Sequence, residues 1–489
     1  MAHPACLLVI LLQCIQAPIP VGPSTPSGPT FTGTGNRAAS TLLHTYYTGH
    51  GKWRACDVRR CDAANVDWGD DSLTYALVLR ESATNNSKLR GVLNALTRTA
   101  ATYRAPCRQI SGCTLLSDMP EWDAVALADE YQLTKNSAAL AKSEAAFGAV
   151  AGSPVYSGGA CPAILYQKPG GGDTHAKTLE SQANAVKAAL LLYSATHSSS
   201  YLAYAIAAYD AARSYFLDPR TALYTVYVID DGHVCRQVPH RFFASVNGLM
   251  IWNGVELSQD TGQISYLQQA IETATTVDSN LSDGRGIYAD MQAENDVEEP
   301  LIEGMFALAL RGQGFARSWL LRNAAAALSA RTRNGSFGRF VDGPPPATEV
   351  TAWQTNGGLA LEIAAAALAP GQSVKLARPW SNAKLVQRQI TKLPSALSFR
   401  GSGIALLGTL GEQCCTSGHA RVSIDGHQTV DETGIWQNKD AIGYPIPDTI
   451  LFTWRWPSVG RHRLRFLPGI ENSKEGGAFL HLVGYELLR

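Results

Sequence analysis

The sequence has no excess of charge of either sign. The 41 Lys and Arg residues balance the 41 Asp and Glu residues, so the formal net charge is +0, and no long basic or acidic run occurs. Nucleic acids and anionic membranes attract proteins through such an excess of positive charge. We therefore expect neither as a partner. A neutral chain that contains Trp and Tyr suits an uncharged ligand such as a sugar.

The sequence also lacks a hydrophobic run long enough to span a membrane. A short apolar run covers residues 6–15, and a bilayer needs about 20 apolar residues in a helix. Residues 1–17 resemble a secretory signal peptide, although no Lys or Arg precedes the apolar run. We expect this segment to be removed and the protein to be secreted, periplasmic or on the cell surface, without membrane insertion.

Several sequence motifs of common enzymes are missing. We find no P-loop, no dinucleotide-binding fingerprint, no HExxH and no GxSxG. The run Gly170–Gly172 is not followed directly by Lys and Ser or Thr, so it indicates a loop rather than a phosphate cradle. The histidines are scattered and are interpreted as hydrogen-bonded structural residues. The sequence therefore predicts an activity that needs no cofactor and no metal.

The cysteines do not form CxxC clusters with nearby histidines, which argues against a zinc site. Eight of the ten cysteines follow the signal segment, and an even number in an exported chain favours disulfides. Two pairs are close in sequence and are predicted to be loop staples: Cys56–Cys61 and Cys107–Cys113. Cys161 and Cys235 stand alone in the sequence.

Composition divides the chain after the signal segment into four parts. Residues 18–37 are rich in Pro, Gly, Ser and Thr, which is typical of a flexible tether. Ala-rich segments with helical spacing predict a mostly helical region over residues 38–370. Residues 371–394 are predicted to be a linker. Short alternating segments bounded by Gly, Pro or Asp predict a small antiparallel β-sandwich over residues 395–489.

The helical region repeats a hairpin made of a helix, a polar turn with Thr and a second helix. Such turns recur at residues 80–85, 131–136, 193–197 and 259–262. A spacing of about 50–65 residues is in the range of repeated helical hairpins, which bury their faces only against neighbours. Six hairpins fit and would close a ring. We favour the ring over an open solenoid because long Gly-rich and aromatic inserts separate the hairpins.

Four predicted helix starts carry acidic residues beside aromatic ones. The clearest is the hairpin predicted over residues 116–147, where Asp118, Glu121 and Asp123 lie at the N-terminal mouth. Acids at helix starts usually cap the helix or complement its dipole. In a closed ring, however, alternating helix ends converge on one mouth. These residues would then line one cleft.

Two carboxyl groups across a cleft suit the cleavage of a glycosidic bond. One protonates the leaving oxygen, and the other attacks the anomeric carbon or activates water. The candidate catalytic residues are Asp118, Asp123 and Asp71. The candidate substrate-binding residues are Trp68, Trp122, Glu180, Tyr288, Asp290 and Glu294. The sequence does not give the separation of the carboxyl groups, and therefore does not predict the stereochemical outcome.

Residues 60–370 resemble the family 76 glycoside hydrolases. The motifs that carry the resemblance occur in the family's order and include Gly171–Gly172, Lys177–Thr178, Asn184–Ala185, Asn247–Gly248, Glu303–Gly304 and Gln354–Gly358. The resemblance implies an (α/α)6 barrel, so the predicted fold is mainly α, with this barrel followed by the β-sandwich. It also implies endo-α-1,6-mannanase activity on a polysaccharide partner. We expect a monomer.

The chain departs from this family at the catalytic pair. The family carries two adjacent Asp residues shortly before a Trp, and the matching positions here are Asp118 and Met119, with Trp122 at the Trp. Met119 cannot transfer a proton. Either the protein is not a hydrolase of this kind, or the second acid comes from elsewhere: Asp123, Glu121 or Asp71.

Two other functions stay open on the sequence. A non-catalytic carbohydrate-binding or cell-wall protein is favoured by Met119. A polysaccharide lyase on the same barrel would need a base near cationic groups, and the candidates for these groups are Lys177, Arg236, His240 and Arg241. The C-terminal segment resembles the galactose-binding-like sandwiches of secreted glycosidases. Its residues Trp436, Trp454 and Trp456 either stack on a sugar or belong to the core.

Overall fold

The computed structural model describes a ring of helices and an antiparallel sheet. The described residues are 28–58, 67–103, 115–172, 174–239, 241–289, 299–347, 349–376, 379–388, 395–410, 419–428, 435–436, 446–468 and 482–489. The predicted signal segment lies outside these residues. Within the described part of the chain, no helix is long and apolar enough to cross a membrane.

Twelve α-helices of the described residues pair into six hairpins. The inner helices are α2 (Asp67–Thr84), α4 (Asp118–Thr134), α6 (Leu179–Thr196), α8 (Ala244–Thr261), α10 (Glu299–Leu310) and α12 (Ala352–Leu368). The outer helices are α1 (Phe31–Thr41), α3 (Ser87–Thr99), α5 (Ser137–Val150), α7 (Ser199–Phe216), α9 (Ile264–Asn280) and α11 (Gly314–Ala327). The predicted helical hairpins are confirmed.

The six inner helices form a closed ring. Each packs against the next in chain order, and α12 packs against both α2 and the outer helix α1. The inner helices contact neighbours on all sides, and α6 is accordingly buried from Leu179 to Leu192. Helices that are apolar all round belong in such a position. The (α/α)6 barrel is therefore confirmed, and the open solenoid is excluded.

The repeated Thr turns connect inner helices to outer ones. The hydroxyl of the last helical residue donates to the carbonyl four residues earlier, at 2.6–2.8 Å, in Thr84, Thr134, Thr196 and Thr261. The next residue has a left-handed φ of 50–74°, in Asn85, Lys135, His197 and Gly262. These turns satisfy carbonyls at the helix ends and reverse the chain tightly.

The N-termini of the inner helices lie at one end of the barrel, which we call the mouth. Tyr75, Lys187 and Trp252 are each the ninth residue of α2, α6 and α8, and their side chains meet at one level. These helices therefore run in the same direction. The connections that lead into two inner helices carry five short strands. Strand β1 (Ala176–Thr178) precedes α6, and four strands precede α8: β2 (Leu217–Asp218), β3 (Leu223–Tyr224), β4 (Tyr227–Asp230) and β5 (Cys235–Gln237).

The predicted tether, residues 18–37, overlaps the first helix. Residues 31–37 belong to helix α1, which packs on α12, and Phe31 is buried. Thr30 caps this helix by accepting a hydrogen bond from the Gly33 amide at 3.1 Å. The Gly, Ser and Thr content that predicted a tether supplies the cap and lets α1 approach α12 closely, because a Cβ on Gly35 would lie 2.4 Å from Ala366 Cβ.

The C-terminal region is an antiparallel sheet folded into a sandwich. Its strands are β6 (Lys384–Arg388), β7 (Ala396–Leu410), β8 (His419–Ile424), β9 (His427–Gln428), β10 (Ile435–Trp436), β11 (Ile446–Pro468) and β12 (Leu482–Leu488). The main order is β10-β8-β11-β7-β12-β6, with β9 on β8. The long β7–β11 pair is interrupted by a bulge between Arg455 and Gly460, which separates its two halves.

The halves of the sheet share one apolar core. Ile404 and Phe452, from one half of the β7–β11 pair, pack in the same cluster as Val422 and Phe466 from the other side. Trp353, near the start of α12, joins this cluster. The predicted antiparallel β-sandwich is thus present. Its core includes a barrel residue, so the two parts of the chain are packed together.

The predicted linker, residues 371–394, is partly structured. Residues 384–388 form strand β6, which pairs with β12, so the sandwich begins earlier than the predicted residue 395. Trp380 is also buried, and its indole N–H donates to Asp342 at 3.1 Å. The Lys- and Pro-rich composition of the segment concealed this strand.

One disulfide of the described residues joins cysteines that the sequence left apart. Cys161 and Cys235 are bonded, and their Cα atoms are 5.8 Å apart. They are 74 residues apart in sequence, so only the fold brings them together. Cys56 is disulfide-bonded as well. Cys61, Cys107 and Cys113 lie outside the described residues, and the two predicted staples stay predictions.

Candidate active site

Five inner helices bring polar and aromatic side chains to one level of the barrel axis, which we call the floor. The ammonium of Lys187 lies 4.7 Å from the ring centroid of Tyr75 and 4.9 Å from that of Trp252. It forms a salt bridge with Glu303 and interacts with Asp129. Lys187 itself is completely buried. The axis is therefore closed beneath the mouth.

The floor contains more acids than bases. Burial would lower the pKa of Lys187, but the carboxylates of Glu303, Asp129 and Glu299 raise it, and the net shift is upward. Burial raises the pKa of Asp129, and Glu303 adds to this while Lys187 opposes it. Several carboxyl groups thus share one cation. Burial favours the neutral form of the carboxyl groups that Lys187 does not pair with.

Asp118 lies on the face of α4 that points to the axis. It is the first residue of the helix, and Trp122 and Asp129 follow on the same face at helical spacing. Asp118 therefore lies roughly 16 Å nearer the mouth than Asp129, at 1.5 Å per residue. The nearby Tyr156 has a pKa raised to about 12 by burial and by the charge of Asp118. Asp118 is partly exposed, as a group at the rim should be.

The next level down contains polar side chains from three other inner helices. Asp71 precedes Tyr75 by one turn of α2, and Glu299 precedes Glu303 by one turn of α10, so both acids face the axis. Both charges raise the pKa of Tyr75, after burial. Asn184 of α6 is fully buried, and neither amide atom has a partner among the described residues.

Two of the acids near Asp118 face away from the axis. Asp123 accepts a hydrogen bond from the Tyr103 hydroxyl at 2.6 Å, between α4 and the connection after α3. Glu121 is buried and interacts with the Ala151 backbone and with Tyr204 behind α4. The structure does not bring either one to Asp118, so of the three catalytic candidates only Asp118 and Asp71 share the axial face.

The predicted substrate-binding residues have mixed positions. Trp122 is buried, with its ring 6.0 Å from that of Tyr75, so it packs above the floor instead of offering an open face. Glu180 lies at the mouth and accepts from Ser245 at 3.1 Å. Tyr288 is buried against Trp319 of the outer helix α11, so its predicted place in the cleft is wrong.

Three further predicted positions are outside what the structure describes. Asp290 and Glu294 lie between the described residues 289 and 299, and the side chain of Trp68 is not described. In the described part of the chain, no group of three or more His, Cys, Asp or Glu side chains is arranged to hold a metal ion.

The floor was missed by the sequence reasoning. A signal existed, because Lys187 is the one charged residue in the run NAVKAALLLY and Glu303 is the one charged residue in LIEGMFALAL. A charge in the middle of an otherwise apolar helix requires a buried partner. Their partnership could not be read from the sequence, since 116 residues separate them.

The fold and the axial carboxyl groups define an (α/α)6 barrel with an acidic mouth, and known structures share this barrel. The chain is similar to the α-1,6-mannanase GH76A of Salegentibacter sp. HEL1_6, at 21% identity and a TM-score of 0.58, over 70% of this chain and 100% of that chain. That structure is an inactive variant with two consecutive aspartates replaced, in complex with α-1,6-mannotetrose.

Two further structures extend the similarity. The GH76 α-mannanase BT2949 of Bacteroides thetaiotaomicron is 17% identical with a TM-score of 0.57, over 69% of this chain and 96% of that chain. Dfg5 from Chaetomium thermophilum, in complex with glucosamine, is 13% identical with a TM-score of 0.53, over 70% and 92%. No protein-family model and no curated protein matches the chain.

The comparisons confirm the resemblance at the level of fold. The chain has the helical barrel of the family 76 α-1,6-mannanases, and the match leaves its C-terminal region uncovered. Identities of 13–21% establish the fold alone, since one fold hosts many activities. The β-sandwich is an addition to this barrel.

Proposed function

We propose that the protein is an exported glycoside hydrolase that cleaves a polysaccharide, and that this polysaccharide is an α-1,6-linked mannan or a similar cell-wall glycan. The observation that carries the proposal is the position of Asp118, an axis-facing carboxyl group at the rim of a closed barrel. Asp71 and Glu299 lie one level deeper on other inner helices. Cleavage of a glycosidic bond needs two carboxyl groups that approach one bond from different sides.

In this mechanism Asp118 acts at the anomeric carbon. Its carboxylate assists the attack there, and a second carboxyl group donates a proton to the leaving oxygen. Met119 provides no proton, so the second group must come from another inner helix. The neutral overall charge of the protein is compatible with an uncharged glycan.

The choice of substrate rests on the related barrels. The Salegentibacter structure contains α-1,6-mannotetrose, and an α-1,6-mannan is therefore the first polymer to test. The partly exposed Asp118 at the rim would contact the sugar, and the buried Asn184 amide would contact a sugar unit that reaches the next level down. Asn184 would satisfy its unpartnered amide atoms through sugar hydroxyls, because a buried amide without hydrogen bonds is costly.

The test is a product screen of the purified mature protein against mannans, arabinans, glucans and uronic-acid polymers. New reducing ends from one polymer, lost in Asp118→Asn, would support the hydrolase. Asp123→Asn is the matched control: it removes a carboxylate from the same helix, off the axis, and should keep most of the activity. An Asp118→Asn protein that is folded and fully active would refute the assignment.

A second function is favoured by Met119, which breaks the adjacent acid pair. In that case the barrel is a carbohydrate-binding protein without catalysis. It would bind a polymer, measured by affinity electrophoresis, and release no reducing ends over time. Products with ultraviolet absorbance from a uronic-acid polymer would instead identify a lyase on the same barrel.

A further inference from the structure

The outer face of the sandwich carries a row of arginines that the neutral composition of the chain conceals. Strand β11 contains the run RHRLR at residues 461–465, and alternate residues of a strand point to opposite faces of the sheet. Leu464 is buried in the apolar core of the sandwich, and His462 stacks on Trp456, which packs against that core. The three arginines of the run therefore point outward, and all three are exposed.

A fourth arginine joins the row from the neighbouring strand. Arg400 of β7 is exposed and lies directly opposite Arg461 in the register of the sheet. The Cβ atoms of directly opposite residues are about 5 Å apart, and the outward residues of one strand follow each other at about 7 Å. Four positive charges are thus close together on one face. We call this surface the arginine face, and it consists of Arg400, Arg461, Arg463 and Arg465.

The carboxylates that the structure describes do not neutralise the arginine face. None of the four guanidinium groups forms a salt bridge with a described residue. The nearby Asp425 carboxylate is already used, because it accepts hydrogen bonds from the Arg463 backbone amide, Trp456 and His462. Like charges that are directly opposite in an antiparallel pair destabilise the sheet. The arginine face therefore carries a cost in stability that a bound anion would remove.

We propose that the arginine face binds an acidic polysaccharide, such as a uronic-acid polymer. A guanidinium group binds a carboxylate through two parallel hydrogen bonds, which makes arginine better suited to this partner than lysine. The outward arginines of β11 recur at every second residue, and a polysaccharide with a carboxylate in each repeating unit also presents its charges in a regular row. The site uses no residue of the barrel, so it does not depend on the proposed hydrolysis.

Other partners fit the arginine face less well. A neutral sugar would need an open aromatic ring, but Trp454 and Trp456 pack against the apolar core. A membrane surface would need large apolar side chains that insert among the lipids. The residues opposite the last two arginines are Ser398 and Ala396, which are too small, and the exposed Val459 at the bulge is a single such side chain. Charge is therefore the feature that selects the partner.

The test measures binding of the purified full chain to polygalacturonate by isothermal titration calorimetry. We expect the wild-type affinity to fall as the salt concentration rises, because salt screens exposed charges. The triple variant Arg461→Gln, Arg463→Gln and Arg465→Gln should bind about tenfold more weakly, because three exposed ion pairs of about twofold each multiply to this value. Arg400→Gln alone should bind about two- to fivefold more weakly.

A matched control removes the same charge from elsewhere in the molecule. Its three substitutions are at exposed arginines of the barrel: Arg98→Gln, Arg317→Gln and Arg333→Gln. This variant should keep the wild-type affinity, because it changes the net charge and leaves the arginine face intact. Thermal melting checks the fold of both triple variants. The β11 variant should melt at or above the wild-type temperature, because it loses the contact between like charges.

The results separate a specific site from a general attraction between charges. A wild-type protein that does not bind polygalacturonate, or a folded β11 variant that binds as tightly as wild type, would overturn the proposal. Equal losses in the two triple variants would overturn it too. Equal affinity for poly-L-glutamate, or tighter binding to vesicles of phosphatidylcholine and phosphatidylserine, would assign the face to another class of partner and so refute it. If the β11 variant does not fold, Arg400→Gln decides by the same criteria.

Discussion

The barrel and the sandwich place their carboxyl groups in opposite environments. Along its axis the barrel buries Asp129 and Glu299 and half-buries Glu303, all around the buried Lys187. The sandwich has an apolar core between its halves, and its described Asp425 lies at the surface, where it accepts from Trp456, His462 and Arg463. A closed ring can hold a polar axis because six helices supply partners. Two packed sheet layers leave no comparable space for polar side chains between them.

The difference is reflected in the pKa shifts. Burial raises the pKa of Glu256 and of Glu362 to about 7 in the barrel. Burial also acts to raise the pKa of Asp425, but the Arg463 amide, His462 and Trp456 outweigh it, and the net shift is downward. The barrel keeps buried acids that are available for function, and burying them costs stability. The sandwich uses its acid to fix a turn.

The largest expected effect is the loss of the cation at the floor. Lys187→Ala leaves the buried Asp129 and the half-buried Glu303 without their cation, and we expect the free energy of unfolding of the barrel to fall by about 3–5 kcal/mol. Denaturant titration measures this. The double variant Lys187→Met with Glu303→Met removes charge from both sides and should recover most of the loss. A single variant as stable as wild type would show that the ion pair contributes nothing.

The second effect is a pH dependence of barrel stability. Burial raises the pKa of Glu362 in the folded protein to about 7, above the ordinary value of 4.5, so as the pH rises the unfolded state loses this proton at a lower pH than the folded state does. Its contribution is fully favourable below pH 4.5 and is lost as the pH rises to 7. It amounts to roughly 3 kcal/mol. Thermal melting should therefore show a lower Tm at pH 8 than at pH 5, and Glu362→Gln should flatten this slope.

The third effect concerns the contact between the two regions. Asp342 accepts from Arg455 of β11 at 2.8 Å, from Trp380 at 3.1 Å and from Ser329 at 3.0 Å, and it pairs with Arg285. Asp342→Asn removes the charge from this junction, and we expect a loss of about 1.5–3 kcal/mol. Limited proteolysis should then release the sandwich faster. Unchanged cleavage would mean that the apolar contact of Trp353 suffices.

The smallest effect is expected at the sandwich surface. Asp425→Asn weakens hydrogen bonds that are open to solvent, and such exposed pairs contribute less than about 1 kcal/mol. The wild-type contribution is present above pH 3.8 and is lost as the pH falls below it, opposite in direction to that of Glu362. A large loss of stability at pH 7 would contradict the contrast between the two regions.

Much of the architecture could be predicted from local sequence. The repeated turns that end in Thr134, Thr196 and Thr261 identified the hairpins, because a helix end is determined by residues within one turn of it. The rim position of Asp118 followed from the same pattern. The helix at residues 31–41 and strand β6 were missed, since their Gly, Pro and Lys content resembles that of linkers and only their contacts with α12 and β12 stabilise them.

The candidate site was predicted only in part. Sequence placed Asp118 and Asp71 at helix starts, but it also placed Asp123 and Tyr288 in the cleft. Position along the chain does not state which way a side chain points. The direction depends on the rotation of each helix about its own axis, and that rotation is set by packing against neighbours distant in sequence.

The sequence by itself determined the hairpin repeat, the change from a helical to a strand pattern by residue 395 and the presence of Met119 beside Asp118, because each is a property of consecutive residues. Only the tertiary structure decided that Lys187 and Glu303 pair, that Cys161 bonds Cys235 and that Asp71 and Glu299 both lie near Tyr75. These relations join residues far apart in the chain, and they exist only after the ring has closed.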